Sequence, residues 1–178
     1  GFAGGDGLAD GTLRTGDIGR PRAPTATLSE NAAALARYVA GVKAASGAQM
    51  VDLVAHSMGG LIARYYVARL MPRRDVAQLL MLGSPHGGSD CSGLPSALRW
   101  YLPAALELRP AYQQRIFSAA TAERHGVPFH TLAGDAIVDA FKAPCTGVPS
   151  DLVVGVDSAA AIAGELERMP VLHTAMTA

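Results

Sequence analysis

The residues with the clearest chemical potential lie in one stretch, Val51-Asp52-Leu53-Val54-Ala55-His56-Ser57-Met58-Gly59-Gly60-Leu61. The apolar run Met50 to Ala55 reads as a strand and Leu61 to Leu70 as a helix, with a serine at the sharp turn between them. Ala55 and Gly59 stand two residues to either side of Ser57, and a reversal this tight requires small side chains there. Such an elbow lifts the Ser57 hydroxyl clear of the sheet. It also points N–H groups and the positive end of a helix at any oxyanion formed nearby. An ordinary helix cap would place a serine here too; the strand before it and the helix after it favour a nucleophile.

A serine hydroxyl is a weak nucleophile until a base takes its proton and a third group orients that base. Five histidines are available: His56, His86, His125, His130 and His173. His56 adjoins the serine, so its side chain is expected to point elsewhere. His130 lies in a strand and reads as a satisfied core residue, and His125 as solvated. His86, after Ser84-Pro85, is positioned to line a site. His173 follows the apolar run Met-Pro-Val-Leu near the C-terminus and comes last in the order Ser…Asp…His, which makes it the expected base. Residue chemistry alone does not separate the acid candidates Asp135, Asp139, Asp151 and Asp157. Chain order favours Asp151.

The elements that must position these groups alternate strand and helix. Leu28 to Ala45 reads as a helix with Ser29 as its cap and Gly47 as its stop. Val76 to Leu82, Val127 to Ala133 and the shorter Leu152 to Val156 read as further strands, and Ala159 to Arg168 as a short helix. This pattern predicts an α/β fold with a mostly parallel sheet flanked by helices. The chain is expected to form one domain over residues 1–178. Residues 91–125 make a long excursion, interrupted by Pro95 and Pro103 and rich in Leu94, Leu98, Trp100, Tyr101, Leu102, Leu106 and Leu108. It fits a helical cap or lid as well as it fits a pair of ordinary core helices.

Composition narrows the classes. Of 178 residues, 49% are apolar and 17% charged, with Lys+Arg equal to Asp+Glu at 15 each. With no basic excess, a nucleic-acid partner is not expected. No apolar run approaches the roughly 20 residues of a membrane span, so no integral membrane segment is expected. Cys91 and Cys145 each sit in a polar, turn-rich stretch, which favours a bridge between them and hence an oxidising compartment. Extracellular localisation is the expectation that follows.

Three stretches resemble the bacterial secreted lipases and esterases of the α/β-hydrolase fold. Ala55-His56-Ser57-Met58-Gly59-Gly60 is similar to the lipase elbow. Leu82-Gly83-Ser84-Pro85-His86-Gly87-Gly88-Ser89 is similar to the segment that closes a later strand. Asp151-Leu152-Val153-Val154, with Asp157-Ser158-Ala159 and Leu172-His173-Thr174 beyond it, resembles the tail that supplies acid and base. The likeness covers residues 28–178. It implies Ser57 as nucleophile, His173 as base, Asp151 as its orienting acid, and the N–H of Met58 as an oxyanion donor. Gly1-Phe2-Ala3-Gly4-Gly5 looks like the loop that supplies a second donor, which would be Phe2.

The departures also carry expectations. The strands that should precede such a loop are absent from the sequence, which points to a longer chain. Leu152 replaces the glycine usual after the acid. The position two residues beyond His173 is Ala175 rather than an acid, so no calcium site is expected, and no cofactor of any kind is implied. The function implied is hydrolysis of an acyl ester or lipid through an acyl-enzyme, with transient contact with a lipid interface. Acyl transfer to an alcohol on the same triad is an alternative, and a catalytically inactive binding module a third.

Overall fold

The computed structural model describes residues 27–89, 106–117, 121–139, 148–162 and 165–177. Phe2, Cys91, Cys145 and the apolar residues 94–102 of the excursion lie outside these, as do the expectations attached to them.

Four strands form one parallel sheet in sequential order: β1 (Val51–His56), β2 (Val76–Leu82), β3 (Phe129–Gly134) and β4 (Glu165–Met169). Parallel neighbours cannot be joined by a tight turn and need a crossover, usually a helix. Each crossover here carries one. Helix α2 (Met58–Tyr65), continued by a π-helical turn over Tyr66–Leu70, links β1 to β2. Helix α3 (Pro110–Ile116) lies between β2 and β3, and the short α4 (Val156–Ala159) between β3 and β4.

Helix α1 (Leu28–Ser46) precedes the sheet. Its cap is Thr27 rather than the expected Ser29. Glu30 N donates to Thr27 Oγ1 at 3.2 Å while Thr27 N donates to Glu30 Oε2 at 2.8 Å, a reciprocal capping box. Gly47, at φ 73°, ends the helix as expected. Ala32 and Val39 of α1 join Ala63, Tyr66 and Val67 of the α2 segment against Leu79 and Met81 of β2 and Phe129 of β3. Val51, Leu53 and Ala55 pack on this core from β1. Lys43 of α1 forms an ion pair with Asp75, just ahead of β2.

The described part of the excursion is anchored rather than free. Leu28 N, in the first turn of α1, donates to Glu107 Oε2 at 2.6 Å, and Tyr112 OH donates to Glu107 Oε1 at 2.7 Å. A carboxylate at that place faces the positive end of the helix. Phe117 is buried, with the Arg64 guanidinium 4.2 Å from its ring centroid. Residues 106–117 are thus tied to α1 and α2 through Glu107 and Phe117, while Leu106, Arg109, Ala111, Gln114 and Arg115 stay exposed.

Two expectations are corrected. Leu152–Val156 is not a strand: Leu152 has φ 84°, and the Asp151 carboxylate accepts hydrogen bonds from Val153 and Val154 N. A side chain that bonds its own neighbouring backbone this way offers an alternative to a sheet ladder. Within the stretch expected to be helical, 159–168, residues from Glu165 on form β4, paired along β3 from His130↔Glu165 to Gly134↔Met169. Glu, Leu, Arg and Met favour helices, but the open edge of β3 overrides that weak preference.

Candidate active site

The C-terminal ends of β1, β2 and β3 meet at one corner, and the chain leaves each strand there in a conformation with a purpose. Ser57, directly after β1, has φ 57° and ψ −130°. Positive φ at a non-glycine residue costs on the order of 1–3 kcal/mol and persists only where its surroundings impose it. Ser57 N donates to Leu82 O at 2.8 Å, which ties the elbow to the end of β2. Met58 is the first residue of α2, so its N–H has no partner within the helix. A Cβ on Gly59 would lie 3.8 Å from Ala55 Cβ, ordinary contact, so the flanking pair is small with room for a methyl. The tighter position is Gly60, where a Cβ would fall 2.7 Å from Ser84 Cβ.

Asp151 and His173 form a buried pair. Nδ1–H of His173 donates to Asp151 Oδ2 at 2.7 Å, and His173 N donates to Asp151 O at 3.0 Å. The other carboxylate oxygen, Oδ1, accepts from Val153 N at 2.9 Å and Val154 N at 2.6 Å. Asp151 is 1% exposed, and these bonds replace the water its charge would otherwise require. Leu152 occupies the left-handed region that a glycine takes without strain. Leu152 holds that conformation as a non-glycine residue, at a cost in backbone strain.

Two glycines form the wall behind the pair. A Cβ on Gly83, at φ 54° after β2, would lie 2.8 Å from Met176 Sδ, 2.9 Å from Asp151 Oδ2 and 3.0 Å from His173 Nδ1. A Cβ on Gly134, which ends β3, would lie 2.6 Å from Asp151 Cβ. Ser57, Asp151 and His173 are therefore gathered around the same strand ends. Gly83 lies in the segment that resembles a strand-closing motif, but neither glycine's packing against the acid and base is legible in the sequence. Their only signal is position: each closes an apolar strand.

The remaining candidates lie elsewhere. Asp135 is paired with Arg168 at 3.1 Å, and Asp157 and Asp139 are exposed. His125 is exposed, as expected. His130 is not a core residue: its ring is half-exposed and bonded to Glu165 at 3.0 Å. His56 does not stand apart either, since its ring packs against that of His173 with centroids 4.5 Å apart.

His86 is 4% exposed, and neither ring nitrogen has a partner among the described residues. Burial, with the positive charges of Arg64 and Arg124, pushes its pKa down to about 3. A histidine that is neutral when folded but titrates normally when unfolded stabilises the fold above its ordinary pKa, and that contribution falls away as pH drops toward 3. Between pH 6.5 and 3 the wild type should lose stability more steeply than His86→Phe, by up to ~1.4 kcal/mol per pH unit. Urea unfolding across that range, wild type against variant, measures the difference in slope; parallel curves would show that His86 titrates normally.

A parallel sheet crossed over by helices, with a strained serine at a strand-to-helix elbow, is the architecture of the α/β-hydrolases. Solved structures agree on the fold. A Bacillus licheniformis lipase in mature form superposes with a TM-score of 0.64 at 19% identity, over 84% of this chain and 69% of that one. A metagenomic carboxyl esterase gives 0.64 at 20% identity, over 83% and 51%. A triacylglycerol lipase of Pseudarthrobacter phenanthrenivorans is 48% identical over 56 residues, 32% of this chain but only 17% of that protein's length. The palmitoyl protein thioesterase family model matches residues 21–132, well over half of the chain, which therefore belongs to that family. The match includes Ser57 and ends before Asp151 and His173.

Proposed function

We propose that the protein hydrolyses acyl esters through Ser57, His173 and Asp151. The single observation that carries this is the buried Asp151–His173 pair, bonded at 2.7 Å, at the strand ends where the strained Ser57 also sits. Nδ1–H of His173 is committed to Asp151, so its Nε2 is left with the lone pair that a base requires. Ser57 Oγ attacks the acyl carbonyl and gives its proton to that nitrogen. The tetrahedral oxyanion is stabilised by the N–H of Met58, with Phe2 N–H the second donor that the resemblance implies. Collapse expels the alkoxide, which leaves with the proton from His173. Water, deprotonated by the same nitrogen, then releases the acid and restores Ser57.

The family's description, palmitoyl protein thioesterase, supports thioesters as a second substrate class. The carbonyl chemistry is the same. A thiolate leaves more readily than an alkoxide, so expulsion depends less on proton donation by His173.

Turnover of p-nitrophenyl esters from acetate to palmitate, beside a palmitoyl thioester, tests the proposal in the full chain. A fluorophosphonate adduct located on Ser57 by peptide mass spectrometry is the expected companion result. An inert protein, or labelling on another residue, would refute the assignment.

Gly83→Ala should act on the same machinery without removing any reacting group. Its methyl has to displace Met176, the Asp151 carboxylate or the His173 imidazole, and misplacing a catalytic group by about 1 Å can cost ~10²-fold in rate. The expected result is a fall in kcat of that order with KM little changed. Steady-state kinetics with the preferred ester would show it.

A further inference from the structure

Among the described residues, His56 is the one titratable side chain touching the proposed base that the reaction does not use. Its Nε2 lies 2.9 Å from the carbonyl oxygen of His173, and its ring is tilted 42° to the His173 ring at 4.5 Å. A carbonyl oxygen only accepts, so Nε2 of His56 carries the proton and donates it.

Among the described residues, three hydrogen bonds from outside its own helical turn set the place of His173, and they differ in what they tie it to. The N–H and Nδ1 bonds both run to Asp151, in the turn after β3. These fix base to acid but would allow the pair to drift as a unit. The third bond runs from His56, the last residue of β1, whose next residue is Ser57. Among the described residues it is the only hydrogen bond joining the His173 turn to the strand that bears the nucleophile.

We infer that His56 is a positioning residue, holding the His173 turn in register with Ser57 through Nε2–H and the His173 carbonyl. The inference rests on the triad proposed above. It gives a reason for a histidine at 56 that neither strand propensity nor the elbow's steric needs supply. Burial lowers the pKa of His56, outweighing the bond to the His173 carbonyl, which raises it; the nearby His173 charge lowers it further and Asp151 raises it. A neutral His56 leaves no second cation facing the imidazolium that forms on His173 during turnover.

The test compares His56→Gln, His56→Asn and His56→Phe in the full chain. The glutamine amide nitrogen reaches about as far as imidazole Nε2, the asparagine amide is one methylene shorter, and phenylalanine keeps a ring without a donor. The expected result is a fall in kcat of ~10- to 100-fold for Asn and Phe, little change in KM, and recovery of most of the loss by Gln. Thermal melts separate this from unfolding, and Gln against Asn decides the matter should Phe fail to fold. Wild-type kcat in the Asn variant would overturn the inference, as would equal losses in Gln and Asn. Undiminished turnover in Ser57→Ala would instead bring down the triad reading, and the inference with it; loss of turnover there while the His56 variants stay at wild-type level would overturn the inference alone.

Discussion

Ser57→Ala should abolish ester turnover while leaving the fold intact, the largest effect expected of any single substitution in this chain. Removing Oγ removes the atom that forms the acyl-enzyme, and no neighbouring group in the elbow can replace it. In serine hydrolases of this mechanism, loss of the nucleophile lowers kcat by ~10⁶-fold, leaving only the contribution of binding and the oxyanion donors. Stability should hardly move, because the backbone at φ 57° is equally strained for alanine and the elbow bond from residue 57 N to Leu82 O survives. Ser57→Gly supplies the contrast: equally inactive, but released from backbone strain on the order of 1–3 kcal/mol. Kinetics with p-nitrophenyl esters and paired thermal melts read both effects. Substantial turnover in Ser57→Ala would sink the assignment outright, and a glycine variant no more stable than the alanine one would show that the elbow is not strained.

The site was legible where its chemistry imposes a local pattern and illegible where it depends on contacts far apart in the chain. Small residues around a serine, between an apolar run and a helix, are a local signature, and β1, Ser57 and α2 sit where the sequence places them. Strand β2 was equally plain, because a largely buried parallel strand reads as a near-continuous apolar run, broken here only by the exposed Gln78. The tail was harder. Val153-Val154 looks like strand, yet the Asp151 carboxylate captures those two N–H groups and bends the chain into a turn. Glu165–Met169 looks like helix, yet the exposed edge of β3 recruits it. Neither Thr27 over Ser29 as cap nor the tightness at Gly60 could be weighed without knowing what lies across from them: Glu30 reaching back in one case, Ser84 in the other. The bond from His56 spans 117 residues of chain, and a single sequence carries no trace of such a pairing.

Asp151→Asn is the second large effect, and its direction follows from how the two carboxylate oxygens are used. Oδ1 accepts from two backbone N–H groups, and Oδ2 faces Nδ1 of His173. An asparagine has one acceptor and one donor to place in those two positions. Its oxygen must take the backbone side, since an NH₂ there would confront two donors in a buried site. The NH₂ group then points at Nδ1 of His173 and forces that nitrogen to accept. The imidazole proton moves to Nε2, where the base requires a lone pair, so His173 is held in the wrong tautomer with its position unchanged. A loss of ~10⁴-fold in kcat is expected, the scale seen when the equivalent substitution is made in a protease triad. KM should change little. Asp151→Ala is the informative comparison: it removes the misdirecting donor but leaves Val153 N, Val154 N and the imidazole without their buried acceptor, so it should lose stability that the asparagine variant keeps. Two variants equally stable and equally slow would mean that Asp151 serves only as a charge. Near-normal kcat in Asp151→Asn would remove it from the reaction.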